Sequence, residues 1–391
     1  MTTTTRPHPL LLTGDHAIAH GACLARPQVI PVYPITPQTP VLEKLVELRE
    51  RGELAGDLIT VESEHSAMAA CIAASLAGAR VFTATASQGL ALMHEMLHYA
   101  AGGRAPVVMA NVNRTLAAPW GFSADQTDSL SQRDTGWIQL YCESAQEALD
   151  TVVQAYRVAE AVLLPVMVVI EALYVSHTLE HVAIPDPALV AEYLPPYEPL
   201  VRLDPSTPRS FGGAATPAQW RANRLAMQAA MDLAHDAAAE AGWLWGELTG
   251  RPYAAVDPYR MDDAEVALIA AGGMAGTARE AVDRLRADGV AAGLVRIRLF
   301  RPFPERRIAD LLAGVDKVAV VDRNYSIGSG GIFCGEVRAA LHARGETDPR
   351  VYSYIAGLGG VNVSVADLVG IARDMLRRPA PPAAPILEVA R

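Results

Sequence analysis

Short β-branched apolar runs alternate with helix-forming stretches near both ends of this chain, and that rhythm restricts its fold more than any other feature. In the first part, "PQVIPVYP", "DLITV", "RVFTATAS", "APVVMANVNR" and "LPVMVVIEA" read as strands. Between them "TPVLEKLVELRERGEL", "SEHSAMAACIAASLAGA", "GLALMHEMLHYAAGG" and "SAQEALDTVVQAYRVAEAV" read as helices. Strands spaced by helices imply parallel β-α-β units, and near-continuous apolar strands imply a sheet covered on both faces. The fold class is therefore α/β, with a doubly wound parallel sheet. The rhythm returns after residue 261 in "EVALIAAG", "AGTAREAVDRLRADG", "AAGLVRIRLFRPFP", "ERRIADLLAG", "DKVAVVDRN" and "GGIFCGEVRAALHARG", a second and smaller α/β domain.

The expected division is residues 1–175, a connection at 176–260, a second domain at 261–375 and a tail at 376–391. The connection is proline-rich and then helical, over "TPAQWRANRLAMQAAMDLAHDAAAEAG", with Thr216 as N-cap and Pro217 in the first helical position. The tail is expected to lack regular structure of its own, although "ILEV" could dock on a neighbour. A length of 391 residues suits two to three domains.

A net charge of −10 argues against nonspecific binding to nucleic acid or anionic membranes. No apolar run reaches the roughly 18 residues of a membrane span, and the N-terminal stretch lacks the pattern of a signal peptide, so the expected location is cytoplasmic. Cys23, Cys71, Cys142 and Cys334 lie far apart, without C-x-x-C spacing, which argues against a zinc site or iron–sulfur cluster held by this chain alone. His94 and His98 are spaced i, i+4, but no nearby acidic pattern completes a metal site.

The usual nucleotide motifs are missing, and no G-D-G opens a magnesium-diphosphate segment. "AAGGMAGTARE" is a weak candidate for a phosphate cradle, with strand–helix packing as the competing role. Glu62 and Glu64 stand where a strand gives way to a helix. They either compensate the helix dipole or place a carboxylate at the ligand-binding end of a parallel strand. Arg114 ends another strand and suits either a bound carboxylate or a surface ion pair. "VYPITPQTP", residues 32–40, stiffens a strand-to-helix turn with three prolines and sets Thr36 within it. It reads as a rigid corner or as the wall of a site.

Taken in order, "YPITPQTP", "VESEHSAMAACIAASLAGARVFTATASQGLALMHEML", "DSLSQRDTGWIQLYCESAQEALD" and "VVDRNYSIGSGG" resemble the alpha subunit of pyruvate (2-oxoacid):ferredoxin oxidoreductases. The resemblance covers most of the chain. It implies a thiamine diphosphate pyrimidine-binding-type first domain and a transketolase C-terminal-like second one. It further implies oxidative decarboxylation of a 2-oxo acid, pyruvate above all, to acyl-CoA and CO2, or the reverse synthesis. Electrons would pass to ferredoxin or flavodoxin.

Thiamine diphosphate would be shared with a beta subunit holding the Mg2+. The [4Fe-4S] clusters would sit on partner subunits, with gamma and delta subunits completing the assembly and coenzyme A as co-substrate. The resemblance puts the cofactor-activating glutamate at Glu64, where its carboxyl would bond the pyrimidine N1′. It puts the contact to the oxo acid at Thr36 and the substrate-carboxylate anchor at Arg114. The segment "SADQTD" departs from the family pattern but keeps Asp125 and Asp128. With the bulky "PWGF" before it, it leaves the choice of oxo acid open. The alternatives are a thiamine-dependent dehydrogenase or transketolase-like subunit without cluster chemistry, and a non-catalytic scaffold. Thr36, Glu64 and Arg114 together argue against the scaffold.

Overall fold

The structure, a computed structural model, describes residues 9–343 and 349–387. The N-terminal threonine run, the end of the helix expected over "ALHARG" and the final "EVAR" lie outside the described residues. The first part of the chain contributes strands β1 (Leu10–Leu12), β2 (Val29–Val32), β3 (Asp57–Thr60), β4 (Phe82–Thr85), β5 (Val108–Asn113), β6 (Ile138–Tyr141), β7 (Val166–Glu171) and β8 (Glu180–Val182). The second contributes β9 (Val256–Tyr259), β10 (Val266–Ala271), β11 (Ala292–Ile297), β12 (Leu299–Arg301), β13 (Lys317–Asp322), β14 (Arg350–Ile355) and β15 (Ile386–Leu387).

The first sheet has the order β12-β6-β7-β5-β4, with β2-β3 beside it as a separate pair. All of these strands are parallel to their neighbours except β12. Pro31 marks the place where the ladder divides. It has no N–H to donate, and among the described residues the β-ladder between β2 and the β4 side is reduced to the bridge between Val29 and Val81. The Pro31 carbonyl is satisfied instead by the Thr83 hydroxyl, at 2.8 Å. The second sheet runs β15-β14-β13-β10-β11-β9, parallel apart from β9.

Alternate residues of the first sheet face two layers. Val108, Ala110 and Val112 face a layer built from helices Gly14–Ala25, Ala145–Val162 and Pro217–Thr249. Met109, Met167 and Val169 belong to an apolar cluster that continues into the second unit through Ile269, Val320 and helices Glu305–Leu312 and Ile332–Ala343. The two units thus share core. The long helix Pro217–Thr249 opens on the expected Thr216 cap, a full capping box with Gln219, and closes on Gly250 in the left-handed region. Ala230, Ala234, Ala238 and Ala241 recur on its buried face, so its backbone lies close to helix Ala145–Val162.

Several segments differ from their sequence reading. "AAGLVRIRLFRPFP" is not one strand. It breaks after Ile297, and β12 crosses back to pair antiparallel with β6, Leu299 facing Leu140. In the tail, Ile386 and Leu387 pair with Tyr354 and Ile355 of the chain's own second sheet. Helix Gly14–Ala25, capped by Thr13, has no counterpart in the sequence reading. Among the described residues, no helix is long and apolar enough to cross a membrane.

Candidate active site

β2, β3, β4, β5 and β7 run in one direction, so the residues after their last positions collect along one rim. Thr36 follows β2, Glu64 follows β3, Ser87 follows β4, Arg114 follows β5, and Glu171 ends β7. Parallel sheets bind ligands at this end.

The proline-rich turn is held tightly. Gln38 and Thr39 donate their backbone N–H groups to the Ile35 carbonyl, and Pro40 falls in the first turn of helix Thr39–Glu50. Thr36 is exposed, and its carbonyl accepts a hydrogen bond from Arg114 Nη1 at 2.7 Å. Its hydroxyl makes no hydrogen bond among the described residues. The turn is therefore both a rigid corner and part of the rim.

Arg114 is only 6% exposed, which removes the surface ion pair as its role. Nε donates to the Gly121 carbonyl at 2.7 Å, and the guanidinium lies against the rings of Trp120 (5.5 Å) and Phe122 (5.1 Å). No carboxylate of the described residues pairs with it. Burial lowers its pKa, with the charge of Asp128 opposing. Such a cation, held by neutral carbonyls and ring faces, keeps its charge available for an incoming anion.

Glu62 and Glu64 separate cleanly. Glu62 is exposed and accepts from the Ser66 hydroxyl at 2.6 Å, while Ser63 caps the helix. Glu64 is the first residue of helix Glu64–Leu76 and is 7% exposed, and its carboxylate has no hydrogen bond or ion pair among the described residues. Its carboxylate lies beside Gly89 and Thr85. A Cβ at Gly89 would stand 2.5 Å from Glu64 Oε1, so only glycine leaves room there. That carboxylate has no protein partner among the described residues, and a ligand offering a hydrogen bond there would satisfy it. The residues present fit a thiamine pyrimidine in this respect.

Asp128, retained in the "SADQTD" segment, is the hub of the rim. It is fully buried and accepts from the backbone N–H of Ser87 (2.9 Å), Arg114 (3.2 Å) and Ser129 (2.7 Å) and from the side-chain amides of Asn111 and Asn113. Burial pushes its carboxyl up to about 6 against these donors. Ser87 in turn donates its hydroxyl to the Thr115 carbonyl at 2.5 Å. The sequence reading gave Asp128 no such role. The available signal was "NVN": Asn111 and Asn113, two residues apart, put two amides on one face of a buried strand.

The glycines of "AAGGMAGTARE" receive a protein carboxylate. Cβ atoms at Gly272 and Gly273 would stand 2.8 and 3.0 Å from the two carboxylate oxygens of Glu171, so close packing is their role. His94 hydrogen-bonds Gln132 and packs edge-on against His98. All four cysteines are free, and three are buried.

Both units of the chain match families of known proteins. Residues 20–241 match the family described as pyruvate flavodoxin/ferredoxin oxidoreductase, thiamine diphosphate-binding, and residues 264–368 match the pyruvate:ferredoxin oxidoreductase core domain II. The ketoisovalerate oxidoreductase subunit VorA of Pyrococcus horikoshii is 47% identical over 94% of this chain and 94% of its own length. The pyruvate synthase subunit PorA of Methanothermobacter thermautotrophicus is 46% identical over 93% of this chain and 94% of its own. A solved 2-oxoglutarate:ferredoxin oxidoreductase from Magnetococcus marinus superposes with a TM-score of 0.73 over 95% of this chain and 66% of that one. At 20% identity that likeness shows the fold.

Proposed function

The chain belongs to the pyruvate:ferredoxin oxidoreductase family, and from that premise we propose how its strand-end residues serve the reaction. It is an alpha subunit of a 2-oxoacid:ferredoxin oxidoreductase, an enzyme that works as part of a multisubunit complex. The observation that carries the assignment of roles is Glu64, a buried residue whose carboxylate has no partner among the described residues, on the same rim as a buried arginine that has no carboxylate partner among them.

Thiamine diphosphate, when bound, supplies the carbanion chemistry that breaks the bond to the oxo acid's carboxylate. Glu64 holds a hydrogen bond to the cofactor's pyrimidine nitrogen and so governs where that ring carries its proton. Arg114 binds the carboxylate of the oxo acid. Thr36 turns its free hydroxyl toward the substrate, and its carbonyl keeps Arg114 in place. The stiff turn fixes this contact before substrate arrives, which saves ordering entropy. A beta subunit would hold the diphosphate and Mg2+, partner subunits would hold the [4Fe-4S] clusters that take up the electrons, gamma and delta subunits would complete the complex, coenzyme A would take the acyl group, and ferredoxin or flavodoxin would be the final electron acceptor.

Pyruvate is the reference substrate. The near-equal identities to a pyruvate and a ketoisovalerate subunit make the branched oxo acid the second reading. We also propose the division 1–175, 176–260, 261–375 and 376–391. In its support, β7 ends at Glu171 and β10, the first parallel strand of the second sheet, begins at Val266. The co-expressed complex, assayed with a panel of 2-oxo acids, coenzyme A and a low-potential acceptor, tests the reading. Acceptor reduction dependent on an oxo acid and coenzyme A is expected; none with any oxo acid would overturn it.

A further inference from the structure

The segment Thr115–Asp128, which surrounds the Arg114 guanidinium, is pinned at one end to the first sheet and at the other to the second unit. Within it, Thr115 receives the Gly121 N–H at 2.8 Å on its hydroxyl and donates its own backbone N–H to the Ser123 carbonyl at 3.2 Å. Gly121 is the residue whose carbonyl holds Arg114 Nε. Beyond Ser123 the chain leaves the first unit's surface and seats on the second. The Asp125 carboxylate accepts the Gly359 N–H at 3.3 Å, and Gln126 donates its backbone N–H to the Arg323 carbonyl at 3.0 Å. The Gln126 side chain reaches Glu171 at 2.8 Å. On the other side of the seat, Tyr174 donates its hydroxyl to the Gly360 carbonyl at 2.9 Å, and its ring faces the Arg323 guanidinium at 4.7 Å. Three residues after Asp125, Asp128 fastens the same segment to the backbone of Arg114.

We infer that the second unit positions the substrate anchor: its loop Gly357–Gly360 clamps Ser123–Gln126 and thereby sets the guanidinium of Arg114 for the oxo acid's carboxylate. This rests on the role of Arg114 given above. It assigns the second sheet a part in the reaction although none of its residues is among Thr36, Glu64 and Arg114. Ser123, Asp125 and Gln126 are then positioning residues, and the closest contact of the clamp is steric. A Cβ at Gly360 would stand 2.2 Å from the Ser123 Cβ, a separation that forces the Ser123 loop to move.

That contact supplies a matched test. Gly360 and Gly314 lie in the same unit, both with φ of +81°, and a Cβ at Gly314 would meet nothing within 4 Å. Alanine at either site carries the same left-handed backbone strain, but only alanine at Gly360 strikes the segment around Arg114. In the assembled complex, G360A is expected to raise KM for the oxo acid at least fivefold with a smaller change in kcat. G314A should leave KM within about twofold while lowering the melting temperature comparably. S123G, which removes the atom that is struck, should bring KM of the G360A/S123G double variant back to within about threefold of wild type. Amide exchange over residues 115–129 should quicken in G360A and slow again in the double variant.

An unchanged KM in G360A, an equal rise in G314A, or no rescue by S123G would overturn the inference. If R114A raises KM while G360A does not, the anchor stands and only the clamp falls. If the wild-type complex reduces no acceptor with any oxo acid, both fall together.

Discussion

Glu147 and Glu171 are both fully buried carboxylates at contacts between the two units, and their electrostatic settings are opposite. Glu147, in the first turn of helix Ala145–Val162, meets Arg298 Nε at 2.8 Å and Arg296 Nη2 at 2.5 Å, and also accepts the Glu143 N–H at 2.9 Å. Burial pushes its pKa up, but Arg296 and Arg298 outweigh burial and the net direction is down. Glu171 has one good hydrogen bond, from Gln126, and an arginine only at 3.6 Å. There burial wins over Arg323 and the pKa is raised. Its other oxygen, Oε2, lies against the backbone of Gly273, whose N–H lowers the pKa only in part. The first contact is a rivet at the start of helix Ala145–Val162, just beyond the end of β6. The second is a close-fitting seat, lined by Gly272 and Gly273, at the ligand end of the strands. Stability is concentrated in one place and positioning in the other.

The largest effect that would break this contrast lies at the rivet. Glu147→Ala leaves the buried Arg298 guanidinium without a carboxylate and Arg296 with Glu143 alone, and should cost about 3–5 kcal/mol, read from urea unfolding of the purified chain. The oxo-acid KM of any complex that still assembles should stay unchanged. A loss under about 1 kcal/mol would show that the two contacts do not differ in kind.

Arg114→Ala acts on the other side of the contrast. It removes a charge-assisted partner worth about 1.5–3 kcal/mol, so KM for the oxo acid should rise roughly 10- to 150-fold. Steady-state kinetics would read that rise and differential scanning would show little change in melting. A large melting shift with constant KM would reverse the assignment of roles.

The smallest effect is in pH dependence, and its sign follows from the two directions. Glu171 has a raised folded pKa, so its ionised form costs stability at neutral pH and that cost is relieved as pH falls through the folded value. Wild type should therefore gain on Glu171→Gln as the pH is lowered from 7 toward the ordinary glutamate range. Glu147, with a lowered pKa, contributes stability that is present above the ordinary range and lost only as pH falls through its folded value. Against Glu147→Gln, wild type should keep its full advantage over the same interval. Paired unfolding curves at several pH values would check both slopes, and slopes of the same sign would erase the distinction.

Much of the frame was legible because its signals are local. The strands of the first sheet, the Thr216 cap and the placement of Glu64 and Arg114 at strand ends follow from runs a few residues long. What escaped depends on distant partners. The four residues of β6 gain their identity from β7 and from β12, some 160 positions later, and nothing near Leu299 announces that it will leave one sheet for another. Pro31 was visibly awkward within a strand, but its meaning, the parting of β2-β3 from the rest, needed the Thr83 hydroxyl opposite. Within the site, Thr36 and Arg114 were readable as candidates, whereas their mutual hydrogen bond runs through a carbonyl that any residue could supply. Asp128 was visible only as a retained acid. Its five donors come from segments around Ser87, Asn111 and Arg114 as well as its own turn, and only the assembled rim brings them together.

The central claim is that this chain's buried, unpartnered carboxylate governs the cofactor of a 2-oxo acid enzyme. Glu64→Gln tests it most directly, because the amide keeps the shape and removes the ionisable group. In the assembled complex, with thiamine diphosphate, coenzyme A and a low-potential acceptor, oxo-acid-dependent reduction should fall by roughly 100-fold or more while subunit assembly and melting are preserved. Turnover within a few-fold of wild type would contradict the account.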